Sequence, residues 1–226
     1  MKKHIPNLFT LLNTCGGWLA IYLSFNEEFL LACLCILFSS IFDFLDGFLA
    51  KRLNAQSELG AQLDSLSDMV TFGLAPSFMA LNISIEYESG FQFYMLLLLF
   101  IPLNSALRLA RFNTVKSISS SDFTGFPTPA NALLVISITM LFYKYCNNIS
   151  VPYISIFFIV VLTLSSFLMV SKLSFMSFKV RTSSSAENKY LYILLILSLL
   201  IIIISVFLVK YYFILPIILL LYFIIS

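Results

Sequence analysis

The stretch DFLDGFLAKRLNAQSELGAQLDSLSD, residues 43–68, decides both the fold and the chemistry of this chain. It carries four aspartates, yet the 226-residue chain is 60% hydrophobic and only 11% charged. A soluble domain is nearer half apolar and a quarter charged, so the composition predicts an integral membrane protein. Carboxylates near the hydrocarbon core of a bilayer are costly and usually functional. The four aspartates therefore call for a partner or a chemical role.

Hydropathy predicts eight membrane-spanning helices, because one span needs ~20 mostly apolar residues. We place the spans at residues 7–25, 29–53, 59–82, 92–113, 128–146, 151–171, 189–209 and 211–226. The third is the least apolar, since aspartates and serines interrupt it. The predicted fold is an all-α polytopic membrane protein whose last two spans form a C-terminal hairpin.

The positions of Lys and Arg predict an N-terminus in the cytoplasm. With that orientation only Lys144 and Lys210, of thirteen Lys and Arg residues, fall outside the cytoplasmic side. The turn between the second and third spans contains Lys51 and Arg52. We therefore expect the aspartates, which lie near this turn, to face the cytoplasm.

Composition also argues against several functional classes. The net charge of +2 is too small to indicate nucleic-acid binding. Because His4 is the only histidine, a Ser-His-Asp or Cys-His catalytic arrangement is not predicted. The spacing of Cys33 and Cys35 fits neither a CxxC motif nor a zinc site, so we interpret the cysteines as small apolar residues.

Helical periodicity places the aspartates on two matched faces. One face of the second predicted helix carries Asp43, Asp46, Gly47 and Ala50. One face of the third carries Gly60, Asp64 and Asp68. Four facing carboxylates would repel one another, and Mg²⁺ or Mn²⁺ would neutralise them. Two such ions suit phosphoryl-type transfer, with the small residues leaving room for a substrate. A cation transporter is the alternative from another class, although transporters more often have broken helices or paired repeats.

The spacing of these residues resembles the signature of the CDP-alcohol phosphatidyltransferase family, D-x2-D-G-x2-A-R-x8-G-x3-D-x3-D. Between Asp43 and Asp68 all fixed positions match except one, where Lys51 replaces the usual arginine. Lysine keeps the charge but not the bidentate contact to phosphate. The similarity covers roughly residues 3 to 180. The segments IPNLFTLLN, LDSLSDMVTFGLAP, LRLARFN and GFPTPAN resemble the bacterial branch of the family that makes phosphatidylserine.

The resemblance implies transfer of a phosphatidyl group from CDP-diacylglycerol to the hydroxyl of L-serine, by direct attack, with release of CMP. It implies two divalent cations, Mg²⁺ or Mn²⁺, held by Asp43, Asp46, Asp64 and Asp68. Asp68 would also be the base that deprotonates the acceptor. The CDP moiety would be bordered by Asp43, Gly47, Ala50, Lys51, Gly60 and Asp64.

The resemblance also implies a six-helix core within residues 1–180. Residues 181–226 would then form the end of a cytoplasmic loop and the C-terminal hairpin. A homodimer in the bacterial inner (plasma) membrane, with its active site facing the cytoplasm, is expected on the same ground.

The acceptor side is less specific in sequence. Arg108 and Arg111 either anchor the fourth helix at the cytoplasmic surface or bind lipid phosphate or the serine carboxylate. Two prolines in GFPTPAN preset the start of the fifth helix, and Thr128 and Asn131 there could hydrogen-bond the acceptor. A sibling enzyme acting on glycerol 3-phosphate or inositol stays open, although a phosphorylated acceptor would be expected to need a denser basic pocket.

The first predicted helix adds only weak signals. Asn7 and Thr10 could contact the nucleotide, whereas Asn13 has no role that the sequence supports.

Overall fold

The computed structural model describes residues 4–115, 125–146 and 152–171, and these ranges are helical with no strand. The helices are α1 (Ile5–Phe25), α2 (Phe29–Arg52), α3 (Glu58–Tyr87), α4 (Phe93–Leu99 as a 3-10 segment, then Phe100–Val115), α5 (Thr128–Cys146) and α6 (Pro152–Val170). All helices but α5 are long and apolar enough to cross a membrane. The chain is therefore a multi-pass membrane protein.

Each predicted span within the described residues coincides with a helix. Helix α3 continues to Tyr87, beyond the predicted end at residue 82, because Ile83 and Ser84 are packed inside the protein. Helix α5 lies at the predicted fifth span but is not among the five candidate spans, since residues such as Asn131 and Lys144 lower its hydropathy. The predicted spans at 189–209 and 211–226, and with them the C-terminal hairpin, lie outside the described residues.

Short turns hold the first three helices antiparallel. Helix α1 begins with Pro6 in its first turn, where proline's missing N–H costs nothing. Glu27 and Asn54, in the two turns that follow, take left-handed backbone conformations with φ of 64° and 49°. The Ser57 side chain caps α3 by accepting a hydrogen bond from the Gly60 N–H at 3.0 Å. The C-terminal end of α2 and the N-terminal end of α3 are thereby side by side.

The inward face of α1 consists of small and polar residues at alternating spacings of four and three. These residues are Pro6, Thr10, Asn13, Gly17, Ala20 and Ser24. A Cβ added at Gly17 would lie 2.5 Å from Thr71 Oγ1 and 2.8 Å from Thr71 Cα, so only glycine allows α1 to approach α3 this closely. Large side chains such as Trp18 and Phe44 are exposed on the outside, where lipid would surround them.

A π-helical segment, Met69–Leu74, interrupts α3 directly after Asp68. Such segments are rare and often occur at functional sites. The segment packs against α1, α4 and α5. Its wider turn changes the phase of the helix, so that Phe72 and the residues beyond it enter the apolar core.

Candidate metal and nucleotide site

Three of the four predicted metal ligands converge at the cytoplasm-facing end assigned from sequence. Asp43 of α2 and Asp64 and Asp68 of α3 each offer a carboxylate oxygen, and these oxygens lie within 4.8 Å of one another. Asp68 is 8% exposed, and the other two are partly buried. Three carboxylates this close repel one another in a medium of low dielectric.

The donor set fits a hard divalent cation. Oxygens bound to one Mg²⁺ at about 2.1 Å lie about 3 to 4 Å apart in an octahedral arrangement. The oxygens of Asp43, Asp64 and Asp68 approach that spacing, so small side-chain movements would bring them onto one ion. Oxygen ligands alone favour Mg²⁺ or Mn²⁺ over softer metals.

Asp46 is not among the three aspartates whose oxygens lie within 4.8 Å of one another. Its Oδ2 accepts a hydrogen bond of 2.6 Å from the Thr10 hydroxyl, and the carboxylate is 6% exposed. Asp46 nevertheless lines the same cavity as Asp64. The assignment of Asp46 as a fourth ligand therefore stays a prediction.

A cavity of about 540 Å³ opens beside the carboxylates, within the size range of small-molecule sites. Of the six residues expected around CDP, all but Asp43 line it. Helix α1 contributes Pro6, Asn7 and Thr10 to the wall. A Cβ at Gly47 would meet nothing within 4 Å, so glycine at this position leaves the cavity larger.

Gly60 has a different reason to be small. A Cβ there would come within 3.2 Å of the Asn7 side-chain oxygen and 3.1 Å of the Ser57 hydroxyl. Gly60 therefore lets the start of α3 lie close to α1 at the cavity wall.

Asn13 of α1 and Ser67 and Thr71 of α3 have no role predicted from sequence, yet they form a buried contact beside the carboxylates. Asn13 is fully buried, and its Nδ2 donates a hydrogen bond to Asp68 Oδ1 at 3.5 Å. The Ser67 hydroxyl donates to the Thr10 carbonyl at 3.0 Å, and the Thr71 hydroxyl donates to the Asn13 carbonyl at 2.9 Å. The regular spacing of small and polar residues on α1 was the signal that could have indicated this inward face.

On the acceptor side, Arg108 joins α4 to the start of α5. Its guanidinium Nη1 donates to the Thr128 hydroxyl at 3.0 Å. Asn131, one turn farther along α5, is fully buried, and neither its amide nitrogen nor its amide oxygen has a hydrogen-bond partner in the described part of the chain. Arg111 is exposed and donates instead to the Val170 carbonyl at 3.1 Å, at the end of α6.

Two contacts between α3 and α4 locate Arg108 relative to Asp68. The Asn113 amide donates to the Ser65 hydroxyl at 2.9 Å, and a Cβ at Gly73 would lie 3.2 Å from the Ser105 Cβ. Asp68 lies between these two contacts along α3, as Arg108 does along α4. The Arg108–Thr128 pair is therefore at a similar depth to Asp68.

Comparison with known proteins now decides the family. The family described as CDP-alcohol phosphatidyltransferase matches residues 3–165 of the chain. The chain belongs to the CDP-alcohol phosphatidyltransferase family. The four aspartates and the residues that line the cavity all lie within the range that matches the family.

Three proteins that are similar to this chain are named as enzymes that make serine-containing lipids. A CDP-diacylglycerol–serine O-phosphatidyltransferase of Helicobacter pylori is 37% identical over 180 residues, covering 77% of this chain and 72% of that protein. The protein of the same name from Bacillus subtilis is 34% identical over 187 residues, covering 82% and 97%. An archaetidylserine synthase of Methanothermobacter thermautotrophicus is 33% identical over 137 residues, covering 59% and 56%.

Within the CDP-alcohol phosphatidyltransferase family, divalent cations serve the reaction, and the acidic cluster of Asp43, Asp64 and Asp68 is where this chain could hold one. Lys51, at the position where the family usually has arginine, lines the cavity. The departure from the signature thus lies at the wall of the cavity that Asp64 also lines.

Proposed function

We propose that this member of the family transfers the phosphatidyl group of CDP-diacylglycerol to the hydroxyl of L-serine, giving phosphatidylserine and CMP. The proposal depends above all on the convergence of Asp43, Asp64 and Asp68 beside the cavity lined by the signature residues. The names of the relatives from Helicobacter pylori and Bacillus subtilis specify serine as the acceptor, and their similarity covers most of this chain.

The cavity receives the CDP moiety. Gly47 and Ala50 leave space along α2, while Lys51 adds a positive charge at the wall that attracts the diphosphate. Asp43, Asp46, Asp64 and Asp68 would hold two divalent cations, Mg²⁺ or Mn²⁺. Bound there, the cations would neutralise charge on the diphosphate and on the departing CMP.

Asp68 is the general base of the proposed reaction. It takes the proton of the serine hydroxyl while that oxygen forms a bond to the lipid-bearing phosphorus. The bond from this phosphorus to the CMP oxygen breaks, and CMP leaves with the electron pair. Because Asp68 is 8% exposed, bulk water has little access to the proton transfer.

The acceptor is bound by groups at the start of α5. Serine carries a carboxylate, which the Arg108 guanidinium can bind. It also carries an ammonium group, which can donate a hydrogen bond to an amide oxygen. Leaving a buried amide group without a partner costs about 1–3 kcal/mol, and a ligand at Asn131 would remove that cost. Thr128 holds Arg108 in place for this contact. Arg111 contacts the end of α6 and would act on the lipid side or as an anchor.

The membrane arrangement completes the proposal. The aspartates and the N-terminus face the cytoplasm of a bacterial inner (plasma) membrane, because Lys and Arg concentrate on that side. The diacyl chains stay in the bilayer while cytidine and serine arrive from water. Residues 1–180 form the catalytic domain and the chain acts as a homodimer. Labelling of single cysteines placed at Gln56 and Ser89 from either side of sealed vesicles would test the orientation.

The reaction is tested with protein purified in detergent and supplied with CDP-diacylglycerol, labelled serine, and Mn²⁺ or Mg²⁺. We expect labelled phosphatidylserine and an equal amount of CMP, both lost in Asp68→Asn. Glu28→Gln is the matched control, since Glu28 is an exposed carboxylate at the opposite end of α2. CMP formed only with another alcohol would contradict the serine assignment. No CMP with any acceptor or metal would refute the reaction itself.

A further inference from the structure

A buried polar contact zone, which we call the α1–α3 seam, connects the first helix to the helix that carries Asp68. It consists of Thr10, Asn13, Ser67, Asp68 and Thr71. Two hydroxyl groups of α3, on Ser67 and Thr71, donate to carbonyl oxygens of α1 at 3.0 and 2.9 Å. These bonds fix the α1 backbone against the segment of α3 on both sides of Asp68.

Within this seam Asn13 has an unusual environment. It is fully buried, its backbone carbonyl is held by Thr71, and its Nδ2 reaches Asp68 Oδ1 at 3.5 Å. The Asn13 side-chain oxygen is buried without a hydrogen-bond partner in the described residues. Because Gly17, one turn away, touches Thr71, the backbone cannot easily shift to relieve this.

Packing alone gives a poor reason for an asparagine at this position. A buried carbonyl oxygen without a partner costs about 1–3 kcal/mol, and an apolar group of the same shape would avoid the cost. Leucine is close to asparagine in shape and carries no polar group. The Asn13 amide therefore has its use in the contact that it makes, which is the contact to Asp68.

We propose that Asn13 is a positioning residue for Asp68. Its amide N–H holds Oδ1 of that carboxylate and so fixes the orientation of the group that takes the acceptor proton. The contact is long, as such contacts often are before substrate tightens a site. A neutral donor suits the role, since a lysine or arginine would form an ion pair with Asp68 and compete with bound cations. The inference rests on the proposed function, in which Asp68 accepts the proton.

Asn13→Leu tests the proposal, with Asn82→Leu as the matched control. Asn82 Nδ2 donates to the Ser24 hydroxyl at 3.0 Å across the same two helices. It lies fourteen residues beyond Asp68 along α3, which is about 20 Å of helix. The control thus removes an equivalent amide contact far from the carboxylates.

We expect Asn13→Leu to lower kcat about 10–100-fold, which is the usual effect of losing a group that orients a metal-binding side chain. The KM for serine should stay within about twofold, because Asn13 holds the base and not the substrate. The thermal unfolding midpoint should change little, because removing the Asn13 side-chain oxygen that has no partner offsets the loss of the donor to Asp68. Asn82→Leu should keep the wild-type kcat, and Asn13→Gln, which retains an amide donor, should recover part of the activity.

The loss of kcat in Asn13→Leu must persist at saturating Mn²⁺. Mn²⁺ binding is measured separately by electron paramagnetic resonance. Full recovery of kcat at high Mn²⁺ would overturn the proposal, because Asn13 would then act only in holding the ion. Unchanged kcat in Asn13→Leu, or an equal loss in Asn82→Leu, would also overturn it. If leucine prevents folding, Asn13→Ala gives the same comparison, because alanine also lacks a side-chain donor. An inactive wild type would refute the proposed function, and this inference with it.

Discussion

Replacing Asp43 by asparagine should stabilise the protein without metal and destroy its activity. The substitution keeps the shape of the side chain but removes one of the three clustered charges. Two unit charges 4.8 Å apart repel by about 3.5 kcal/mol at an effective dielectric constant of about 20. Asp43 takes part in two such pairs, so full ionisation would cost about 7 kcal/mol or more, because 4.8 Å is the upper limit of these distances. Protons taken up by the cluster relieve part of this repulsion.

Divalent cations should stabilise the wild type more than they stabilise Asp43→Asn. A ligand at a free concentration of 100 times its Kd stabilises the protein that binds it by about 2.7 kcal/mol. The wild type, with all its carboxylates, should gain this from Mn²⁺, whereas Asp43→Asn should gain much less. Mn²⁺ should therefore raise the thermal unfolding midpoint of the wild type more than that of Asp43→Asn, and CMP release by the variant should be lost.

The assay is thermal unfolding in detergent, with NaCl used to match ionic strength between the EDTA and Mn²⁺ samples. Glu28→Gln is the control and should respond to Mn²⁺ as the wild type does, because Glu28 is remote from the cluster. If Asp43→Asn unfolds at a lower temperature than the wild type in EDTA, the proposed repulsion among the carboxylates is refuted. Equal stabilisation of Asp43→Asn and wild type by Mn²⁺ would refute the cation site.

Four further predictions concern the cavity and the acceptor. Thr10→Val removes the 2.6 Å hydrogen bond to Asp46 with little change of shape, so CMP release should fall about 10–100-fold; unchanged release would contradict a role for that contact. Gly47→Leu places a side chain in open space, so the KM for CDP-diacylglycerol should rise while the unfolding midpoint stays the same. Lys51→Arg restores a bidentate phosphate donor at the cavity wall, and we expect a lower KM for CDP-diacylglycerol, not a change in folding. Asn131→Leu should raise the KM for serine without loss of stability, and an unchanged KM would remove Asn131 from the acceptor site.

Local properties of the chain could be predicted from its sequence. Apolar length determines where helices cross a bilayer, and the helical period determines which residues share a face of one helix. The ranges of α1 to α6 follow from the first rule to within a few residues. From the second, Asp64 and Asp68 share a face of α3, and Asp43 lies on the face of α2 that carries Gly47. These features depend on neighbours only a few positions away.

The arrangement between helices could not be predicted in the same way. Asp46 belongs to the predicted face of α2, and its carboxylate accepts a hydrogen bond from Thr10, thirty-six positions earlier. Asn13 meets Asp68 across fifty-five positions. The first contact depends on how α1 packs against α2, and the second depends on how closely α1 approaches α3, which Gly17 and Thr71 decide. Helical periodicity orders side chains around one axis, but only tertiary packing sets the rotation and distance between two axes.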